Sequence, residues 1–131
     1  MKDLFKNTTV RAYVTPFTVA TVSKIPADAL AVINDHRETT VVIATDLLPP
    51  GTDVIKREDG WQLFTFELSL PFEVVGFLAQ VSTALAKAGI SIFVLSSYST
   101  DHILVKADHR DQTISVLTRL GCRVVDETVG Q

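Results

Sequence analysis

The side chains with the most chemical capacity fall in two short stretches. Ser96, Ser97, Thr100 and Asp101 lie within six positions of one another. Three hydroxyls that both donate and accept stand beside a carboxylate that, when ionised, only accepts. Upstream, Glu73, Val75, Gly76 and Phe77 sit where a proline-broken segment enters a helical pattern. The first N–H groups of a helix have no partner within it, and its dipole favours negative charge there. Gly76 carries no side chain to keep a ligand away from that backbone. Positive charge would be received by Asp101 or by carbonyls at the edge of the strand that begins near Ile92. Each residue also has a plainer reading. Glu73 is a first-turn acid that complements the dipole, and Gly76 lets helix and strand pack closely. Thr100-Asp101 is turn chemistry, and Ser96 and Ser97 are strand residues on opposite faces. Phe77, Leu78, Val81, Ile92 and Val94 read as core.

Other constellations carry less. His36, His102 and His109 have no metal-ligand spacing, there is one cysteine, and no H-x-x-x-H occurs. No phosphate-binding glycine motif is present. Cys122 has no base beside it in sequence. His102 follows Asp101, and adjacent strand residues point to opposite faces, which argues against a catalytic pair. No catalytic residue, metal site or cofactor is therefore assigned.

The elements that must position these groups run from Trp61 to Asp126. Leu63, Phe64 and Phe66 mark a strand, which Pro71 ends. Apolar residues at Val74, Phe77, Leu78, Val81, Leu85 and Ala88 make one stripe of a helix over 74–88, stopped by Gly89. Residues 90–97 are an apolar run of the kind covered on both faces. Ser99-Thr100-Asp101 turns the chain back into Ile103-Leu104-Val105. Asp108 caps a helix bearing Ile114, Leu117 and Leu120, Gly121 stops it, and Cys122 to Val125 is the last strand. The order is βαββαβ, a ferredoxin-like split unit of the α+β class.

Residues 1–16 read as a loose arm or an edge strand. Strands follow at 17–23, 30–34, 40–45 and 54–57, with Pro26 opening at most one helical turn and Pro49-Pro50-Gly51 barring a second helix. Glu58-Asp59-Gly60 reads as a turn into Trp61. The first half thus repeats the order of the second with its helices reduced. The plainer alternative is that it only extends one sheet.

The totals bound the function. A chain of 131 residues is one compact domain or two small halves sharing a core, and 47% hydrophobic residues with a net charge of -3 exclude disorder. No basic cluster offers itself to nucleic acid, and Phe93 and Tyr98 are too few to stack RNA bases. No window approaches a membrane span and no signal peptide is visible. One cysteine suits a reducing compartment, and a cytoplasmic location is expected.

The stretch F-E-V-V-G-F-L-A-Q-V-S-T-A-L-A-K-A-G-I-S-I-F, followed by L-S-S-Y-S-T-D-H-I-L-V-K, resembles the ACT domain, a small ligand-binding regulatory module. It is similar, more closely, to the ACT-like proteins of the CASTOR-type and VC0802-like group. The general motif has Asp-x-x-Gly in the loop, and this chain has Glu73-Val74-Val75-Gly76. The resemblance covers 61–126, and the first half resembles that group's shortened N-terminal repeat weakly. It implies a degenerate ACT-like half over 1–60 and an ACT domain over 61–131, the two sharing one compact unit.

The resemblance further implies binding rather than chemistry, with an amino acid or similar small molecule as ligand. The helix start at Glu73, Val75, Gly76 and Phe77 would take its carboxylate. Asp101 and the strand edge at Ile92 would take its ammonium, and Ser96, Ser97 and Thr100 would hydrogen-bond either group. A homodimer is expected, because a lone copy has a sheet edge to cover. Two other readings stay open: a partner-binding module without ligand, and a small enzyme using His102, Asp101 and Cys122.

Overall fold

The computed structural model describes residues 5–51, 53–68 and 76–128. Among the described residues one eight-stranded sheet carries two helices of more than two turns. The strands are β1 (Thr8–Tyr13), β2 (Phe17–Val22), β3 (Ala31–Asn34), β4 (Thr39–Ala44), β5 (Val54–Leu68), β6 (Phe93–Ser96), β7 (Asp101–Lys106) and β8 (Arg123–Glu127). The helices are α1 (Phe77–Lys87) and α2 (Arg110–Leu120).

β5 is the axis of the molecule. The expected turn at Glu58–Gly60 is instead the interior of this 15-residue strand. Phe17 pairs with Trp61 but Val19 with Glu58, so three steps on β5 match two on β2. That is a bulge, and Gly60 at φ +82° supplies the backbone it needs. The expected loose arm or edge strand at 1–16 is also corrected, since Thr8–Tyr13 is an interior strand. β1 lies between β5, to which it is antiparallel, and β8, to which it is parallel. Phe5 ahead of it is buried, its ring 5.3 Å from that of Phe77.

From β5 onward the chain runs β5-α1-β6-β7-α2-β8, as the periodicity predicts. β7 pairs with β5 and β6 with β7, both antiparallel. Phe77, Val81 and Leu85 form the buried stripe of α1, and Leu78, Ala84 and Ala88 pack beside them. Gly89 at φ +78° ends that helix, with the Ile90 N–H returning to the Leu85 carbonyl at 3.0 Å. Val74 lies outside the described residues. In α2 the buried face is Thr113, Val116 and Leu117, with Ile114 and Leu120 at its margin. Asp108 does not cap it; the residue before the helix is His109, and no side-chain cap bond forms. β6 is shorter than the expected 90–97 run, and it is an edge strand with Val94 40% exposed. The expectation of cover on both faces fails on the helix side, where Val94 and Ser96 are exposed, while Phe93 and Leu95 pack on the other face.

Alternation sets two cores. Phe64, Phe66, Ile103 and Val105 point to the helices, where Val10, Ala12 and Cys122 join them. Leu63 and Leu104 point the other way, onto Phe17, Val42 and Ala44, a buried cluster that contains no helix residue. That face is packed by side chains of the sheet's own strands. In the first half the strand order is β3-β4-β2-β5, and short irregular crossovers stand where helices would lie. Among the described residues no helix is long and apolar enough to cross a membrane.

Candidate functional site

The β6–β7 hairpin and the start of α1 define one end of the sheet. Phe66 on β5 stands opposite Asp101 on β7, and Asp101 opposite Ser96 on β6. The Ser96 hydroxyl donates to the Asp101 carboxylate at 2.7 Å. Because Phe66 points to the helices, this pair lies on the helix side, and Phe66 packs edge-on against Phe77 at 5.6 Å. Gly76, immediately before α1, takes φ +88°, and its carbonyl accepts the Gln80 N–H at 3.0 Å. The N–H groups of the first helical turn, ahead of that bond, have no intrahelical acceptor.

Ser97 and Thr100 belong to the opposite face. Their hydroxyls bond each other at 2.5 Å, and they lie 3.1 and 3.3 Å from His102 Nε2. The Ser97 N–H donates to the Thr100 carbonyl at 2.8 Å, closing the hairpin. His102 Nδ1 meets Thr65 Oγ1 at 2.8 Å. Burial lowers the His102 pKa, and Asp101 offsets this in part. The expected set is therefore divided by the sheet: Gly76, Ser96 and Asp101 on the helix side, Ser97 and Thr100 on the other.

Two further positions change. The Phe77 side chain is a core group, so only its backbone belongs to the helix start. Ile92 precedes β6 at the far end of that strand, beside Gly89 and Ser91, and is not brought to the hairpin. Glu73 and Val75 lie outside the described residues. Sequence reasoning missed His102 and Thr65 as polar partners. Their signal was period-two alternation, which sets Thr65 on the face of Leu63, away from Phe64 and Phe66.

The alternative catalytic set is not assembled. Asp101 bonds Ser96 on the helix side, the His102 ring lies among hydroxyls on the other, and Cys122 is in the helix-side core. Burial pushes the Cys122 thiol up to about 11. Among the described residues no group of three or more His, Cys, Asp or Glu is placed to hold a metal.

On the helix-free face Arg11 lies between Glu67 and Glu127, at 2.8 and 3.3 Å. These charges tie β1 to both of its neighbours.

Residues 56–119 match the family model described as ACT domain. The chain is similar to the solved structure of Atu0741 from Agrobacterium tumefaciens, at 25% identity and TM-score 0.77, over 92% of this chain and 94% of that one. It is similar to VC0802 from Vibrio cholerae, a protein of unknown function, at 22% identity and TM-score 0.73, again over 92% and 94%. The regulatory subunit of aspartate kinase from Thermus thermophilus aligns at TM-score 0.59 and 10% identity, over 85% of this chain and 95% of that one. No curated protein matches the sequence. The fold is α+β and ferredoxin-like, of the kind seen in ACT domains.

Proposed function

We propose that the protein is a non-catalytic regulatory module that binds a small molecule, an amino acid being the ligand its groups suit. One observation supports this reading: Phe77, first in α1, packs on Phe66, the strand partner of Asp101, so the helix start at Gly76 and the Asp101–Ser96 pair share one end and one side of the sheet. A carboxylate on the first N–H groups of α1 and an ammonium on Asp101 would satisfy both. Ser96 would exchange its present bond for one to the ligand. The ACT match over 56–119 supports the regulatory reading, as does the name of the Thermus protein, a regulatory subunit.

The strand order β3-β4-β2-β5, followed by β5-α1-β6-β7-α2-β8, supports reading the chain as two ACT-like halves, 1–60 and 61–131, that share β5. A homodimer accords with the bare edge of β6, where Val94 is half-exposed and Tyr98 fully so. The buried free Cys122 accords with a cytoplasmic setting.

A thermal-shift screen against the twenty amino acids tests the ligand. A ligand at a hundredfold its Kd stabilises by about 2.7 kcal/mol, which raises Tm by roughly 10 °C in a chain of this size. Loss of that shift in Asp101→Asn supports the site. A flat screen, confirmed by calorimetry, removes the amino-acid reading and favours a partner-binding module.

A further inference from the structure

The helix-free face of the first half holds a groove of about 600 Å3, a volume typical of small-ligand sites. Ile33, Thr40, Thr21 and Lys56 stand opposite one another across β3, β4, β2 and β5, so their side chains share that face. Phe93, edge-on to Trp61 at 6.0 Å, closes one end. Glu38, at the β3–β4 turn, closes the other.

The charges lining the groove are not equivalent. Arg57 is paired with Asp59, and Glu58 with Lys106. Lys56 and Glu38 enter no ion pair among the described residues. Lys56 is thus the one free cation lining the groove among the described residues, and it faces Glu38 and Asp35, a second carboxylate outside any ion pair whose Oδ1 accepts the Arg37 and Glu38 N–H groups, with the Thr21 and Thr40 hydroxyls between them and Ile33 and Phe93 as apolar walls. A pure anion would meet Glu38 and a pure cation Lys56. A molecule with both charges satisfies both groups.

We propose that this groove is a second ligand site, for a small zwitterion whose ammonium and carboxylate are several bonds apart, such as a dipeptide or an ω-amino acid. Lys56 takes the carboxylate and Glu38 the ammonium. Lys56 and Glu38 are two strands apart and two residues out of register, which sets their backbones roughly 12 Å apart. With both side chains standing roughly perpendicular to the sheet, their charged ends are about as far apart as their backbones, and two hydrogen bonds of roughly 2.8 Å then leave a span of roughly 6 Å. An extended dipeptide spans that distance between its termini, whereas the adjacent charges of an α-amino acid do not. This site is separate from the hairpin end, and it stands whether or not an amino acid binds there.

Amide chemical shifts of the full chain, titrated with glycylglycine and with 5-aminopentanoate at millimolar concentration, test it. Shifts at Val19, Thr21, Thr40 and Lys56 are expected, with glycine giving none there. Lys56→Gln and Glu38→Gln each weaken binding by roughly tenfold or more, and the exchange Lys56→Glu with Glu38→Lys restores it with the ligand reversed. Both single sites are exposed, so these variants fold. No shifts in the groove, or affinity unchanged in both single variants, overturns the proposal. Shifts confined to Gly76–Gln80 and Ser96–Asp101 overturn it too, while leaving the hairpin site standing.

Discussion

Thr65 and His102 face each other across β5 and β7, with Thr65 Oγ1 2.8 Å from His102 Nδ1. Ser97 and Thr100 take the other ring nitrogen, so the imidazole is held on both sides by neutral hydroxyls. Among the described residues no carboxylate hydrogen-bonds the ring; Asp101 favours its cationic form only through space, and burial outweighs it.

The consequence is a pH dependence of stability. Burial depresses the folded-state pKa below the ordinary 6.5. In the window just below 6.5 the unfolded chain binds the proton that the folded one refuses, so stability rises with pH there. The contribution is complete above 6.5 and fades as pH falls toward and through the depressed value. Urea denaturation of the wild type and of His102→Gln, from pH 7.5 downward, measures it. The wild type is expected to lose more stability on acidification than the variant, and parallel curves would refute this.

Gly121 and Gly60 separate two reasons for glycine. Both have positive φ, +112° and +82°. A Cβ on Gly121 would also meet the Phe5 Cβ at 3.4 Å, whereas one on Gly60 meets nothing within 4 Å. Gly121→Ala and Gly60→Ala should each cost about 1 kcal/mol or more in backbone strain. Gly121→Ala should cost more, read as the larger fall in denaturation midpoint.

Much of the second half was legible before any coordinates. The spacing of Phe77, Val81 and Leu85, with Gly89 after them, carries both the period and the stop of α1. The position of β1 was not legible, because its partners are β5 and a parallel strand beyond residue 120, and no local signal reports such pairing. Glu58-Asp59-Gly60 is turn chemistry taken alone. Pairing with β2 on one edge overrides it and makes a bulge. The hairpin site was half legible. The Ser96–Asp101 pair follows from a short hairpin, but its separation from Ser97 and Thr100 needed the face of each residue. Ile92 was misplaced because β6 is shorter than its apolar run.

Phe77 distinguishes core from site. Its ring is 3% exposed and packs on Phe5 and Phe66. Phe77→Ala should cost about 3–5 kcal/mol and lower Tm by roughly 10 °C or more. Asp101→Asn removes only a surface interaction and should stay within about 1 kcal/mol of wild type. Calorimetric melting of both variants checks the contrast.

Cys122 should be inert while the chain is folded. The buried thiol, at about 11, supplies little thiolate at pH 8. Modification by an aromatic disulfide reagent should be slower by roughly a hundredfold or more in the native protein than in denaturant. Equal rates would place Cys122 outside the core.

The intercalation of β1 between β5 and β8 also orders events in time. Thr9 pairs with Glu67 on one side and Arg123 on the other. During synthesis β1 is made more than a hundred residues before β8, the strand it pairs with in parallel. Closing so long a loop is slow. Until β8 pairs, β1 presents a bare strand edge open to wrong partners.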